Sequence, residues 1–536
     1  MRDKFCSYYT NSKDITEYMV SKLNIVDNDI ILEPSAGEGS FIDEILELEK
    51  TVQIDALDIN ADAITILKKK YKDNPAVVVR ETDTLLDEQL DFYSSTQLWL
   101  KQTDTLLDDQ LDTFSSLGGH YTKVIGNPPY GAWQDYERRD TLKRKFVGHY
   151  VKETYSLFLL RCLSVLRMHG RLSFIIPDTY LFLNMHSSLR KIIFSNTKID
   201  EILIFPSNFF PGVNFGYSNL SIITLERCGQ KEAAENNFKV IQGFKSPNEF
   251  SKLLSARKRL PKNLEIFNLT QKNILKNEQC RLILAKSNLS TLFARCERKI
   301  GDVADVVTGF YTGDNLRFIR TANKNIKGAK DYEVVDPSIV VHCNSIYGIP
   351  DLKEGYVPYI KSSSKRRYIR QSDEWFVRWD KETIDFYNKN KKSRFQNSSF
   401  YFKTGIGIPM VKSKTIRAFL MSDRVFDQSI VGIFPKDSSK TYYLLALMNS
   451  DAINDLIHAI NPTANNSANY IKLLPYIEPE SDVLEKVVEM VKSVIAFERD
   501  TDYENADRLH DKINDIIGKI YLHKNKSGSD LAIDLP

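Results

Sequence analysis

The chain has 536 residues, a net charge of +3, 42% hydrophobic and 27% charged residues, which is the composition of an ordinary globular protein too long for one compact core. The polar N-terminus, MRDKFCSYYTNSKDITEYM, lacks the apolar stretch of a signal peptide, and no run reaches the ~18–20 apolar residues of a membrane span, so a cytoplasmic protein with no membrane partner is expected. Cys6, Cys162, Cys228, Cys280, Cys296 and Cys343 are scattered without a CxxC pair or a His cluster, which argues against a metal site or a disulfide framework.

In chain order, DIILEPSAGEGSF predicts a strand at Ile30–Leu32, a glycine turn and the helix FIDEILELEK. VQIDALDIN predicts a second strand, and ADAITILKKKY a helix with apolar spacing near 3.6. AVVVRETD and VIGNPPY read as the third and fourth strands. YSLFLLRCLSVLRMHG reads as an amphipathic helix ended by Gly170. RLSFIIP, IDEILIF and SNLSIITLER supply the fifth to seventh strands. Alternating helices and nearly continuous apolar strands predict an α/β fold, a Rossmann-like, mostly parallel sheet covered on both faces.

Between the third and fourth strands, TDTLLDEQLDFYSS (82–95) recurs as TDTLLDDQLDTFSS (103–116). Two near-identical copies indicate a tandem duplication, because a solenoid needs at least about three repeats. The first copy follows AVVVRE directly, which favours Asp83 over Asp104 as a functional acid. After about residue 235 the alternation is lost, and basic and aromatic residues mix in VTGFYTGDNLRFIR, KSSSKRRYIR and KNKKSRFQNSSFYFK. Domains of 1–235 and 236–536 are therefore expected, the second a mixed α+β unit with C-terminal helices.

Three short stretches carry chemistry. In EPSAGEGSF, Gly37 and Gly39 let backbone approach a ligand, and the N–H groups of the following helix can face a carboxylate or another polar group. The Lys-Ser/Thr of a phosphate loop is missing, which disfavours a nucleoside triphosphate. Asp58, ending the second strand, suits either the two hydroxyls of a ribose or the cap of the next helix. In VIGNPPYGAW, two prolines take the chain out of its strand in a fixed extended turn and hold Asn127 beside Tyr130.

This ordered set resembles the S-adenosylmethionine-dependent amino-methyltransferases, and specifically the gamma class of DNA N6-adenine methyltransferases, the TaqI-like and Eco57I-like group of restriction–modification systems. The resemblance covers most of the chain. YYTNSKDITEYM looks like the N-terminal cofactor segment, with Thr10 near the methionine carboxylate. GRLSFIIP and FFPGVNFGYSNLSIITLE look like later core motifs, and GDVADVVTGFYTGDN and YYLLALMNSDAINDLI look like target-recognition segments. The resemblance implies cofactor contacts at Thr10, Glu33, Pro34, Ala36, Gly37, Gly39, Asp58, Ile59, Asp83 and Asn127. It further implies that Asn127 and Pro128 accept the two amino hydrogens of an adenine flipped out of duplex DNA. Pro129 completes the rigid turn, and Tyr130 stacks on the base opposite Phe210, with Phe209 as the neighbouring candidate.

No covalent intermediate is needed, in keeping with the lack of a PC-type cysteine motif, which argues against cytosine-C5 chemistry. Lys361, Lys365, Arg366, Arg367 and Arg370 are the expected phosphate contacts to double-stranded DNA. A cognate restriction endonuclease is the expected genetic partner. No paired-acid-plus-lysine nuclease cluster is legible downstream. Competing readings are methylation of an RNA adenine or a protein glutamine, and a DNA-specificity protein with a decayed catalytic half.

Overall fold

The computed structural model describes residues 12–94, 119–131, 136–210, 219–255, 264–284, 292–293, 296–350, 352–370, 372–411, 415–461 and 466–523. Two compact units divide between Ile283 and Leu284.

The first unit is built on a nine-stranded sheet. Its strands are β1 (Ile30–Glu33), β2 (Gln53–Asp58), β3 (Val77–Glu81), β4 (Tyr121–Gly126), β5 (Leu166–Pro177), β6 (Thr197–Phe205), β7 (Leu220–Arg227), β8 (Asn237–Gln242) and β9 (Glu265–Thr270), in the order β3-β2-β1-β4-β5-β7-β6-β8-β9. From β3 to β5 all pairings are parallel, whereas β7 runs antiparallel to both β5 and β6. The central strands are buried almost throughout, as their continuous Ile, Leu and Val runs require.

The helices that bear on the site are α1 (Lys13–Leu23), α2 (Ser40–Leu46), α3 (Ala61–Lys70), α4 (Glu88–Tyr93), α5 (Tyr136–Lys145) and α6 (Thr154–Val165). The chain runs outward from β1 through β2 to β3, then returns to β4 on the other side of β1. That reversal of strand order opens a crevice at the carboxyl ends of β1 and β4, where α/β sheets take their ligands.

Two boundaries differ from the sequence reading. The sheet continues through β8 and β9, so the first unit reaches Ile283, beyond the change of texture near residue 235. β9 is an edge strand with no fully buried residue, and its polar composition disguises it as loop. The helix expected to end at Gly170 stops at Val165, and all twelve of its residues are buried, so it is not amphipathic. Leu166 already pairs with Tyr121 as the start of β5. Gly170 answers a tight bend: a Cβ there would lie 2.9 Å from the Arg167 carbonyl oxygen.

The second unit holds two four-stranded sheets and a helical hairpin. One sheet orders Ala304–Thr308, Ile430–Pro435, Gly405–Pro409 and Phe419–Met421, all antiparallel. The other orders Ile319–Thr321, Trp375–Arg378, Tyr356–Ile360 and Val425–Phe426. Phe310, Tyr359, Trp379, Tyr387 and Tyr401 form an aromatic core with edge-to-face and tilted contacts. The hairpin is α7 (Ser481–Arg499) and α8 (Tyr503–His523).

Candidate functional site

At the end of β1 the chain turns through Pro34–Gly39 into α2. Gly37 and Gly39 have φ of 52° and 83°, and a Cβ on Gly39 would lie 2.5 Å from the Tyr71 hydroxyl, so that position excludes any side chain. Asp58, at the end of β2, accepts from the Gly37 N–H through Oδ2 and from the Asn60 N–H through Oδ1, each at 2.8 Å. The cap of α3 is Asn60, which accepts from the Asp62 N–H. Asp58 is thus not the helix cap; its carboxylate ties the glycine turn to the β2–α3 turn. Ile59 beside it is 40% exposed. Glu33 is 2% exposed, and its Oε2 has no hydrogen-bond partner among the described residues. Burial, followed by the nearby charges of Asp58 and Asp43, raises its pKa well above the usual carboxylate range.

The neighbouring strand β4 brings the Asn127–Tyr130 turn against this loop. Gly126 lies on the Pro34 ring, where a Cβ would come within 3.3 Å of Pro34 Cδ. The Ser35 hydroxyl donates to the Asn127 backbone oxygen at 3.2 Å, and the Thr154 hydroxyl, at the start of α6, donates to the Pro129 oxygen at 2.6 Å. Among the described residues no hydrogen bond reaches the Pro128 carbonyl between them. Asn127 Oδ1 is buried, and Tyr130 is 4% exposed. Asn127, Pro128 and Tyr130 are therefore brought to the crevice together with Glu33, Gly37 and Asp58.

Asp83 follows β3 at the same edge. Its Oδ1 accepts from the Leu85 N–H at 3.1 Å, and the Arg138 guanidinium grips both oxygens, with Nε at 2.9 Å from Oδ2 and Nη2 at 3.2 Å from Oδ1. Next to it, the Thr84 hydroxyl donates to the Pro34 carbonyl at 2.6 Å, joining the acid to the glycine turn. The cap of α4 is Asp87, which accepts from the Leu90 N–H, so that duty does not fall on Asp83. Asp104, in the second copy, and Thr10 lie outside the described residues.

Beyond β6, Phe210 is 1% exposed while Phe209 keeps partial exposure. Asp178 directly follows β5 and is 2% exposed. It accepts from the Asn219 side-chain amide at 3.2 Å, and burial pushes its carboxyl up to about 7, with the Asn219 bonds opposing. Ser35, Thr154, Arg138 and Asp178 were not singled out from the sequence. Their only local signals are a polar residue flanking a recognised motif or strand end, in EPSAG, KETYSLF, YERRD and FIIPDTY.

In the second unit the five basic residues have unlike surroundings. Arg366 grips the buried Glu498 of α7 at 2.6 Å and Asp507 of α8 at 2.7 Å, and lies over the Tyr503 ring. Arg370 is nearly buried, over Phe419 and donating to the Ser362 carbonyl. Lys361 donates to the Tyr332 hydroxyl at 3.0 Å and faces Trp375. Arg367 is half-buried and Lys365 exposed. Arg366 and Arg370 thus have structural employment, against the expectation that the whole run is free for phosphates.

Comparison with known proteins follows the same lines. Residues 40–210 match the family model described as Eco57I restriction-modification methylase. The chain is 25% identical over 207 residues to the type II methyltransferase M.HincII of Haemophilus influenzae, covering 37% of this chain and 34% of that one. It is 20% identical over 414 residues to the type II methyltransferase M.AccI of Acinetobacter calcoaceticus, covering 75% of this chain and 66% of the relative. The matched region spans about a third of M.HincII and about two thirds of M.AccI. The fold resembles that of a nuclease-deletion mutant of the type ISP restriction–modification enzyme LlaGI solved with a DNA substrate mimic, at a TM-score of 0.51 and 13% identity, over 91% of this chain and 46% of that one. It also resembles DrdV in its DNA complex, at a TM-score of 0.51 and 13% identity, over 92% of this chain and 57% of that one. The first unit thus has a mixed α/β sheet, and residues 40–210 within it resemble a restriction–modification methylase.

Proposed function

We propose that the chain is a site-specific DNA methyltransferase that transfers a methyl group from S-adenosylmethionine to N6 of an adenine flipped out of duplex DNA. The observation that carries this reading is the treatment of the three carbonyls of the catalytic turn. Those of Asn127 and Pro129 are tied by Ser35 and Thr154, while the Pro128 carbonyl takes no hydrogen bond among the described residues. An exocyclic amino group offers two hydrogens, and the Asn127 side-chain oxygen and the Pro128 carbonyl form the matching pair of acceptors.

The nitrogen lone pair of such an amine is delocalised into the ring and is a poor nucleophile. Accepting both hydrogens favours a tetrahedral nitrogen, whose lone pair is then free for attack. Because the two prolines and the two hydroxyl clamps fix the acceptors beforehand, little reorganisation is needed when charge develops. Tyr130 supplies one aromatic wall and Phe210 or its neighbour Phe209 the other.

The residues at the first part of the crevice fit S-adenosylmethionine. Buried Glu33, with an oxygen lacking a partner among the described residues, suits the cationic amino-acid end. The open glycine turn of Gly37 and Gly39 passes its backbone, Asp58 suits the ribose, and Ile59 gives an apolar face to the adenine. Asp83 would accept from the adenine amino group. When bound, S-adenosylmethionine supplies a methyl group on a sulfonium, the C–S electron pair leaving with sulfur while N6 releases a proton.

In the second unit, Lys365 and Arg367 remain the candidates for DNA phosphates. In a restriction–modification system this modification protects DNA from a cognate endonuclease. Duplex DNA incubated with methyl-labelled cofactor and then digested to nucleosides tests the proposal. N6-methyladenine from the wild type, and none from Asn127→Ala, is the expected result. Label in N4-methylcytosine, no DNA label, or full activity in Asn127→Ala would overturn it.

A further inference from the structure

We propose that Arg138 is a positioning residue for the adenine end of the cofactor, orienting Asp83 so that a single lone pair, on Oδ2, faces the adenine amino group. The inference rests on the S-adenosylmethionine reading above. A carboxylate offers about four lone-pair positions, two on each oxygen. On Asp83, Oδ1 already accepts from the Leu85 N–H and from Arg138 Nη2, which fills it. Among the described residues Oδ2 accepts only from Arg138 Nε, which leaves it one position. The guanidinium fork therefore does two things: it prevents rotation of the carboxylate, and it selects the oxygen left to take a further donor.

Arg138 is well placed for this because it belongs to α5, the helix that follows the catalytic turn. A second ion pair from the same helix, Lys145 to Asp91 at 2.7 Å, docks its other end on the same 83–91 segment. The Arg138–Asp83 pair is largely shielded, with both side chains about four-fifths buried, whereas Asp91 is nearly half exposed. The acid expected to recognise the cofactor base is thus held by the element just downstream of Asn127–Tyr130, 55 residues away in sequence.

The test is calorimetric titration with S-adenosylhomocysteine and with its deaminated analogue, S-inosylhomocysteine, whose base presents an oxygen where adenine presents the amino group. The wild type is expected to prefer the adenine form. In Arg138→Gln, affinity for that form should fall about tenfold and the preference should shrink, the loss of a charge-assisted fork on a buried acceptor. Arg138→Lys, which keeps the cation but not the fork, should recover affinity more than preference, and it carries the test if Arg138→Gln does not fold. Lys145→Ala, which loosens α5 but removes no hydrogen bond from Asp83, should lower thermal stability and largely keep the preference. Wild-type affinity and preference in both Arg138 variants would overturn the inference while leaving the cofactor reading standing. Failure of the wild type to bind S-adenosylhomocysteine would overturn that reading and the inference with it.

Discussion

The Ser35 hydroxyl donates to the Asn127 backbone carbonyl at 3.2 Å, across 92 residues of sequence. A residue of the glycine turn thereby holds the backbone of the Asn127–Tyr130 turn, and the Pro34 ring braces the preceding Gly126. Ser35→Ala should lower kcat by about tenfold, since small misplacements of a reacting group are costly. The dissociation constant for the cofactor should change by less. Stopped-time methylation assays with parallel calorimetry measure both quantities, and an unchanged kcat would contradict a positioning duty for Ser35.

Thr154 makes the complementary contact from the other side. Thr154→Val keeps the shape and removes the donor to the Pro129 carbonyl, at a cost of about 1 kcal/mol in stability. Thr154→Ser should retain both stability and rate. Because the carbonyl lies one residue beyond Pro128, the valine variant should lose more in turnover than in melting temperature. Differential scanning calorimetry beside kcat values separates the two.

Asp178 makes stability depend on pH in a stated direction. Its folded pKa of about 7 lies above the ordinary value of 3.8, so between those pH values the folded chain binds a proton that the unfolded chain lacks. Stability from this group is present at low pH and lost as pH rises towards 7, over a range worth up to about 4 kcal/mol. In Asp178→Asn this component of the slope should vanish, and the variant should melt higher than the wild type at pH 8. Equal melting-temperature slopes between pH 5 and 8 in the two proteins would exclude the effect.

The basic run of the second unit divides into two experimental classes. Arg366→Ala strands the buried Glu498 and should cost roughly 3 kcal/mol of stability. Lys365→Ala should leave melting unchanged and reduce the salt dependence of DNA binding by about one phosphate contact. Urea titrations and binding isotherms at several salt concentrations distinguish the two. A stable Arg366→Ala with a reduced salt slope would return that residue to the DNA surface.

The central strands were legible because a strand buried on both faces needs an unbroken apolar run, as in FIIP and LSIITLE. NPPY and the glycine turn were legible because their residues are contiguous. Pairings over long separations were not. Nothing near Asp83 announces Arg138, and nothing in KSSSKRRYIR announces Glu498 and Asp507, more than 130 residues downstream. A local count of charges therefore reads Arg366 as an exposed cation when the fold has spent it on two acids. The same blindness moved the domain boundary, since the edge strand β9 is recognisable only from its partner β8.

The reversed direction of β7 also affects how this protein can change. Its two neighbours in the sheet, β5 and β6, run the other way, so β6 and β7 form a hairpin, joined by residues 206–219. A hairpin connection tolerates insertion and deletion because its two strands are already registered by their own ladder. Lengthening it leaves the alignment of β4 and β1, and hence the Asn127–Ser35 contact, untouched. The wall expected to face the substrate base is in this way mechanically separate from the turn expected to do the chemistry. Descendants of such a sheet can refit one without rebuilding the other.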